Sequence, residues 1–190
     1  MKSYHLVHHR DGPTVLAMTI RSMLSTTGAA LASLAFSCTH PTPRSLDAEA
    51  QDLARRSQQA NDALMRGDID RYRTFVRMGD DFTLMSPFGG EPSHWTDDRR
   101  LDALRSYFRN GSLSQDLVDA HMSADLAVLA VIEHAHHVEV GGAPAQDWDL
   151  RVTLVYRRIG ADWRLVHRHA DPLGHAISLE RAAELGRGAL

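Results

Sequence analysis

From Leu46 onward the apolar residues recur at helical spacing. Leu46, Ala50, Leu53, Ala60 and Leu64 fall on one stripe that runs to Gly67. Ser45 stands where an N-cap belongs, and Asp47 and Glu49 occupy the first turn, where the positive helix end favours acids. Gly67 supplies the stop. Asp68 restarts a shorter helix with Ile69, Tyr72, Phe75 and Val76 on its buried side. Residues 82–86 (FTLMS) predict a strand, ended by Pro87, Phe88, Gly89 and Gly90. Thr96 then caps a third helix, striped by Leu101, Leu104, Tyr107 and Phe108 and closed by Asn110 and Gly111.

After Gly111 the period changes from 3.6 to 2. Leu113–Met122, Leu126–Val140, Trp148–Arg158 and Trp163–Ala170 all read as strands, punctuated by short polar or Gly-containing turns. Such short gaps predict an antiparallel meander. Helices first and strands afterwards give an α+β domain, a curved, mostly antiparallel sheet with N-terminal helices on one face. On the Trp148 strand, Trp148, Leu150, Val152, Leu154 and Tyr156 point one way. A two-residue turn at Gly160-Ala161 would pair Tyr156 with Leu165, Leu154 with His167 and Val152 with His169. His167 and His169 would then continue the apolar face, with Arg164 and Arg168 on the polar one; a one-residue bulge would reverse this. On the Leu126 strand the even residues (Val128, Ala130, Ile132, His134, His136, Val138) form the more apolar row. Glu133, His137 and Glu139 are expected to face solvent or a subunit contact.

Composition changes this picture at the ends of the chain. Of 190 residues, 43% are hydrophobic and 24% charged, enough to bury a core and to exclude wholesale disorder. A net charge of −3 and scattered basic residues, all arginine except Lys2, argue against a nucleic-acid partner. The single cysteine, Cys38, forbids an intrachain disulfide and any Cys-based metal centre. No apolar run reaches the ~20 residues of a transmembrane span. Residues 1–17 are polar and His-rich. Met18 then opens a short n-region with Arg21, an apolar stretch from Met23 to Phe36, and Ala35 and Ser37 at the −3 and −1 positions of a cut before Cys38. That is signal-peptide anatomy if translation starts at Met18; export and a cytoplasmic location both stay open. Phe36 and Ala35 speak against lipid attachment at Cys38. Residues 40–44 (HPTPR) form a proline-stiffened linker. The expected organisation is a leader and linker over residues 1–44, a domain over 45–174, and a short C-terminal helix or tail over 175–190.

ALMRGDIDRYRTFV, DFTLMSPFGG, TLVYRR and WRLVHRHADPLG occur in that order along the chain. With them the sequence resembles the nuclear transport factor 2-like superfamily, in its ketosteroid-isomerase-like, SnoaL-like bacterial branch. The resemblance spans roughly residues 46–173. It implies a cone-shaped domain, a sheet wrapped around a long helix, a pocket in the cone and a homodimer. It implies no particular reaction, because function lives in the site.

The candidate chemistry centres on histidines. His134, His136 and His137 lie on one strand, His167 and His169 on another, followed by Asp171 and His175. A metal centre is not expected. His167-x-His169-x-Asp171 lacks the histidine after the acid that a dinuclear zinc site needs, since Pro172 stands there. The two HxH pairs would sit two strand spacings apart, about 9.6 Å, whereas nitrogens on one zinc lie within roughly 3.5 Å of each other. No phosphate loop or nucleophile elbow calls for a cofactor or covalent chemistry. The reading is a pocket protein for a small apolar or aromatic molecule, its ligand met by Trp95, His134, His136, Val152 and Tyr156. A second reading is a cofactor-free acid–base enzyme (isomerase, dehydratase or hydrolase) in which His169 or His167 shuttles a proton and Asp171 orients it. A third is a structural dimerisation module with a filled cone.

Overall fold

Helix α1 (Leu46–Met65) begins as its sequence dictates: the Ser45 hydroxyl accepts from the Ala48 amide at 3.2 Å. Its stripe of Ala50, Leu53, Ala54, Ser57, Ala60 and Asn61 is buried. Gly67 turns the chain with φ +76°, and a Cβ there would sit 2.5 Å from the Arg105 carbonyl oxygen, so only glycine fits. Helix α2 (Ile69–Phe75) starts at Asp68, whose side chain accepts from the Arg71 amide, and buries Ile69 and Tyr72. These elements come from a computed structural model that describes residues 45–95 and 99–187, within the unit Thr42–Leu190. The leader expectations, from Met18 to Cys38 and the linker, and the Thr96 cap lie outside the described residues.

Then follow β1 (Met78–Met85), β2 (Ser93–Trp95), α3 (Arg99–Tyr107), β3 (Phe108–Arg109), β4 (Ser112–Met122), β5 (Leu126–Val140), β6 (Gln146–Ile159), β7 (Asp162–Pro172) and α4 (Leu179–Gly186). The strands form one curled, mixed sheet in the order β2-β1-β7-β6-β5-β3, with β4 also on β5. The domain is α+β. The β4-β5-β6-β7 meander is antiparallel, as the short turns predict. Strand β1 adds to β7 in parallel, a non-local pairing that local pattern does not reveal. Trp95 belongs to β2, whose pairing with β1 sets Trp95 opposite Phe82.

Bulges decide which residues face inward. In β5 two residues, His136 and His137, stand where β6 has only Asp147; His137 takes φ +52° and its amide donates to Asp147 Oδ1 at 2.7 Å. The extra residue flips the phase of the strand. Val138 and Val140 point into the core beyond the bulge; before it, the inward residues are the odd ones, Ala127, Leu129, Val131, Glu133 and Ala135. The even row from Val128 to His134 therefore lies on the outer face, contrary to expectation, and Glu133 is buried rather than solvent-facing.

A second bulge sits in β7. Tyr156 pairs with Leu165 as expected, but Val155 already pairs with His167, so Val166 is the extra residue. Leu154 then faces Arg168 and Val152 faces Ala170, replacing the expected pairs with His167 and His169. Arg168 turns inward, and His167 and His169 lie outward opposite Val155 and Thr153. A third bulge, in β4, leaves Val118 exposed. Bulges bend and twist a sheet, and α1 packs across β4 and β5. The core joins Leu53, Ala60, Ile69 and Phe82 to Leu129, Val131, Leu154 and Leu165.

Candidate functional site

Between the helices and the concave face of the sheet lies a cavity of about 280 Å³. Its walls are apolar: Leu64 and Met65 from α1, Phe82 and Leu84 from β1, Leu101 and Leu104 from α3, Val138, Val140 and Leu150 from the sheet. Phe88 (52% exposed) and Tyr107 (39%) stand at its solvent side. Phe88 meets Trp148 edge-on with ring centroids 5.0 Å apart, and Tyr107 at 6.2 Å. Edge-to-face aromatic contacts hold such a rim in place while leaving ring surface open to a guest.

The polar end of the cavity is built on Glu133. Its side chain is 2% exposed and that of Arg168 18%. Arg168 grips the carboxylate with both terminal nitrogens, Nη1 to Oε1 and Nη2 to Oε2, each at 2.7 Å. Asn61 Nδ2 adds a third bond to Oε1 at 2.8 Å. An isolated carboxylate so deep would be prohibitively unfavourable; a bidentate guanidinium and an amide make it tolerable. Burial works against the Arg168 charge, yet the carboxylate outweighs it and holds the arginine pKa above its ordinary value. Tyr72 lines the same end; burial, with Tyr156 nearby, pushes its phenol far up. Tyr156 rises to about 12 by burial, opposed by a hydrogen bond with Ser57. Both phenols therefore keep their protons at neutral pH and can act as hydrogen-bond donors.

The residues singled out from sequence sit elsewhere. His134 lies on the outer face, Nδ1 at 2.7 Å from Asp149 Oδ1 and Nε2 at 3.4 Å from Asp116 Oδ2, and the Asp149 hydrogen bond holds its pKa above the ordinary value. His136 is exposed on the β5 bulge, 3.9 Å from Asp147. His167 Nδ1 is 2.6 Å from Thr83 Oγ1; burial, and then His169, lower its pKa. His169 Nε2 is 3.6 Å from Asp171 Oδ1. Val152 and Tyr156 are buried in the core without lining the cavity. Trp95 is placed by its backbone pairing alone. So the sheet gathers the histidines and Asp171, but on the convex side, and β6 separates the two HxH pairs. Among the described residues no three His, Cys, Asp or Glu side chains converge as metal ligands, and no helix is long and apolar enough to cross a membrane.

Sequence reasoning missed Glu133, Arg168, Asn61 and Tyr72 as one cluster. A signal existed: Asn61 falls on the apolar stripe of α1, beside Ala60 and Leu64, and a polar side chain facing a core needs a partner. Glu133 shares the parity of Leu129 and Val131.

A curled sheet wrapped on a long helix, with a cavity on its concave side, is the architecture of the nuclear transport factor 2-like superfamily. Residues 55–172 match the profile of the SnoaL-like domain, and the chain belongs to that family. Solved structures agree on the fold. An NTF-2 like protein of unknown function from Shewanella oneidensis MR-1 is 18% identical, with a TM-score of 0.52 over 65% of this chain and 98% of that one. A ketosteroid isomerase-like protein from Erwinia carotovora atroseptica is 15% identical, at 0.52 over 66% and 97%. The association domain of C. elegans CaMKII is 18% identical, at 0.52 over 66% and 97%. No curated protein matches the chain.

Proposed function

We propose that this protein binds a small apolar or aromatic molecule in the concave cavity. The observation that carries the reading is the combination of apolar walls, an aromatic rim and a few convergent polar groups at one end, the usual composition of a small-ligand site. Binding is favoured over acid–base catalysis. Both oxygens of Glu133, the carboxylate in the cavity, are already engaged by Arg168, and the His–Asp pairs do not line the cavity. Native mass spectrometry of the purified protein tests the reading. A bound species of a few hundred daltons, lost on gentle activation, supports it; protein that stays ligand-free after incubation with an apolar compound library contradicts it.

The protein assembles, on this reading, as a homodimer through the convex face, where Val128, Ala130, Ile132 and Val155 stand only half-buried among charged and histidine side chains. Light scattering at micromolar concentration should return twice the chain mass, and a monomer mass would contradict it.

A further inference from the structure

The pocket reading leaves open what kind of small molecule enters; the charges at the polar end of the cavity narrow it. We infer that the ligand is electrically neutral and presents a hydroxyl or N–H donor to Glu133. This rests on the pocket reading above and adds a charge and a polarity to its ligand.

The argument starts from what Glu133 and Arg168 already do for each other. Both Nη atoms of Arg168 are engaged with the carboxylate, so the pair presents no net charge to the cavity. An anionic ligand would have to take Arg168 from Glu133, leaving a carboxylate that is 2% exposed without its counter-charge. A cationic ligand would have to take Glu133 from Arg168, with the same penalty in reverse. Breaking a buried pair from one side is strongly unfavourable, so either exchange works against affinity. Among the described residues no second charged side chain lines the cavity to compensate. The other described lining side chains with polar atoms are Asn61, Tyr72, Ser86, Tyr107 and the indole of Trp148, all neutral. A neutral guest leaves the pair intact.

The hydrogen-bond inventory then sets the ligand's polarity. Oε1 of Glu133 accepts from both Asn61 and Arg168, whereas among the described residues Oε2 accepts from Arg168 alone. A carboxylate oxygen offers two lone pairs, so Oε2 retains room for one more donor. A ligand hydroxyl or N–H meets that need, and a hydrogen bond to a charged group in a dry site is stronger than a neutral one.

A charge-matched naphthalene series provides the test. The neutral fluorophore N-phenyl-1-naphthylamine reports occupancy, and 1-naphthol, 1-methoxynaphthalene, 1-naphthoate and 1-naphthylmethylammonium compete against it at pH 7. The expected order places 1-naphthol about tenfold or more ahead of both ions, with 1-methoxynaphthalene, which has no donor, in between. Glu133→Gln frees Arg168 from its counter-charge, so 1-naphthoate should gain about tenfold in that variant while 1-naphthol loses affinity. The wild-type series decides the matter even if that variant is unstable. If 1-naphthoate or the ammonium matches or exceeds 1-naphthol in the wild type, the neutral-ligand inference is overturned and the pocket reading survives. If the methoxy compound equals the naphthol, the donor half of the inference is overturned. A fluorophore that binds saturably nowhere on the folded protein removes both the pocket reading and this inference.

Discussion

Glu133 and His134 are adjacent in the chain and live under opposite conditions. Glu133 faces the concave side, 2% exposed, bound by Arg168 and Asn61 between the sheet and α1. His134 faces the convex side, between Asp149 and Asp116, with water at hand. Both sit opposite a counter-charge at 2.7 Å. On the convex side solvent screens the pair and supplies substitutes when a partner is lost. On the concave side the carboxylate is nearly cut off from solvent, so each member of the cluster depends on the others. Equal distances thus conceal unequal consequences, and burial sets the difference.

The contrast can be broken most severely at Arg168. Arg168→Met leaves a buried carboxylate unpaired and should destabilise the fold by ~3–5 kcal/mol in urea unfolding. The double variant Glu133→Leu/Arg168→Met, which removes both charges, should recover most of that loss; an additive double would refute the coupling. Asn61→Ala deletes one bond to the carboxylate and should lower stability by about 1.5–3 kcal/mol in the same assay. His169→Ala, on the convex face, should change it by no more than ~0.5 kcal/mol. A larger loss there would place His169 in a role that the outward register does not give it.

The smallest effects lie in pH dependence, and they have opposite signs at two convex histidines. His134 has a raised pKa, so its contribution to stability is full below the ordinary value of 6.5 and fades as pH rises through the raised one. His167 has a lowered pKa, so its contribution is full above 6.5 and fades as pH falls through the lowered one. Proton NMR titration of the ring resonances should place His134 above His167. The reverse order would contradict the hydrogen bond to Asp149 on one side and the burial of His167 on the other.

Much of the fold was legible because local signals agreed with it. The Ser45 cap, the α1 stripe, the Gly67 stop and the four meander strands follow from periodicity and turn chemistry. The parallel β1–β7 pairing was not, because it joins segments some eighty residues apart with no local mark. The site was lost to two bulges. One extra residue at His136-His137 and one at Val166 reverse the inward set on β5 and β7, and neither involves a glycine or proline that would announce it. Val138 was read as inward and is inward; the error lay in carrying its parity back across the bulge to His134. The same shift in β7 exchanged His169 for Arg168, and with it a supposed proton shuttle for an ion pair.

The central claim is that the concave cavity, rather than the histidine-bearing convex face, receives the ligand. Ala135 lines the cavity, and Ala135→Phe would fill part of it from the sheet side. Titrating N-phenyl-1-naphthylamine into the wild type and into folded Ala135→Phe, checked by circular dichroism, tests the claim directly. The account predicts saturable fluorescence enhancement in the wild type and a loss of about tenfold or more in affinity in the variant, as expected when a pocket is occluded. Equal binding by both proteins would place the ligand elsewhere and contradict the account.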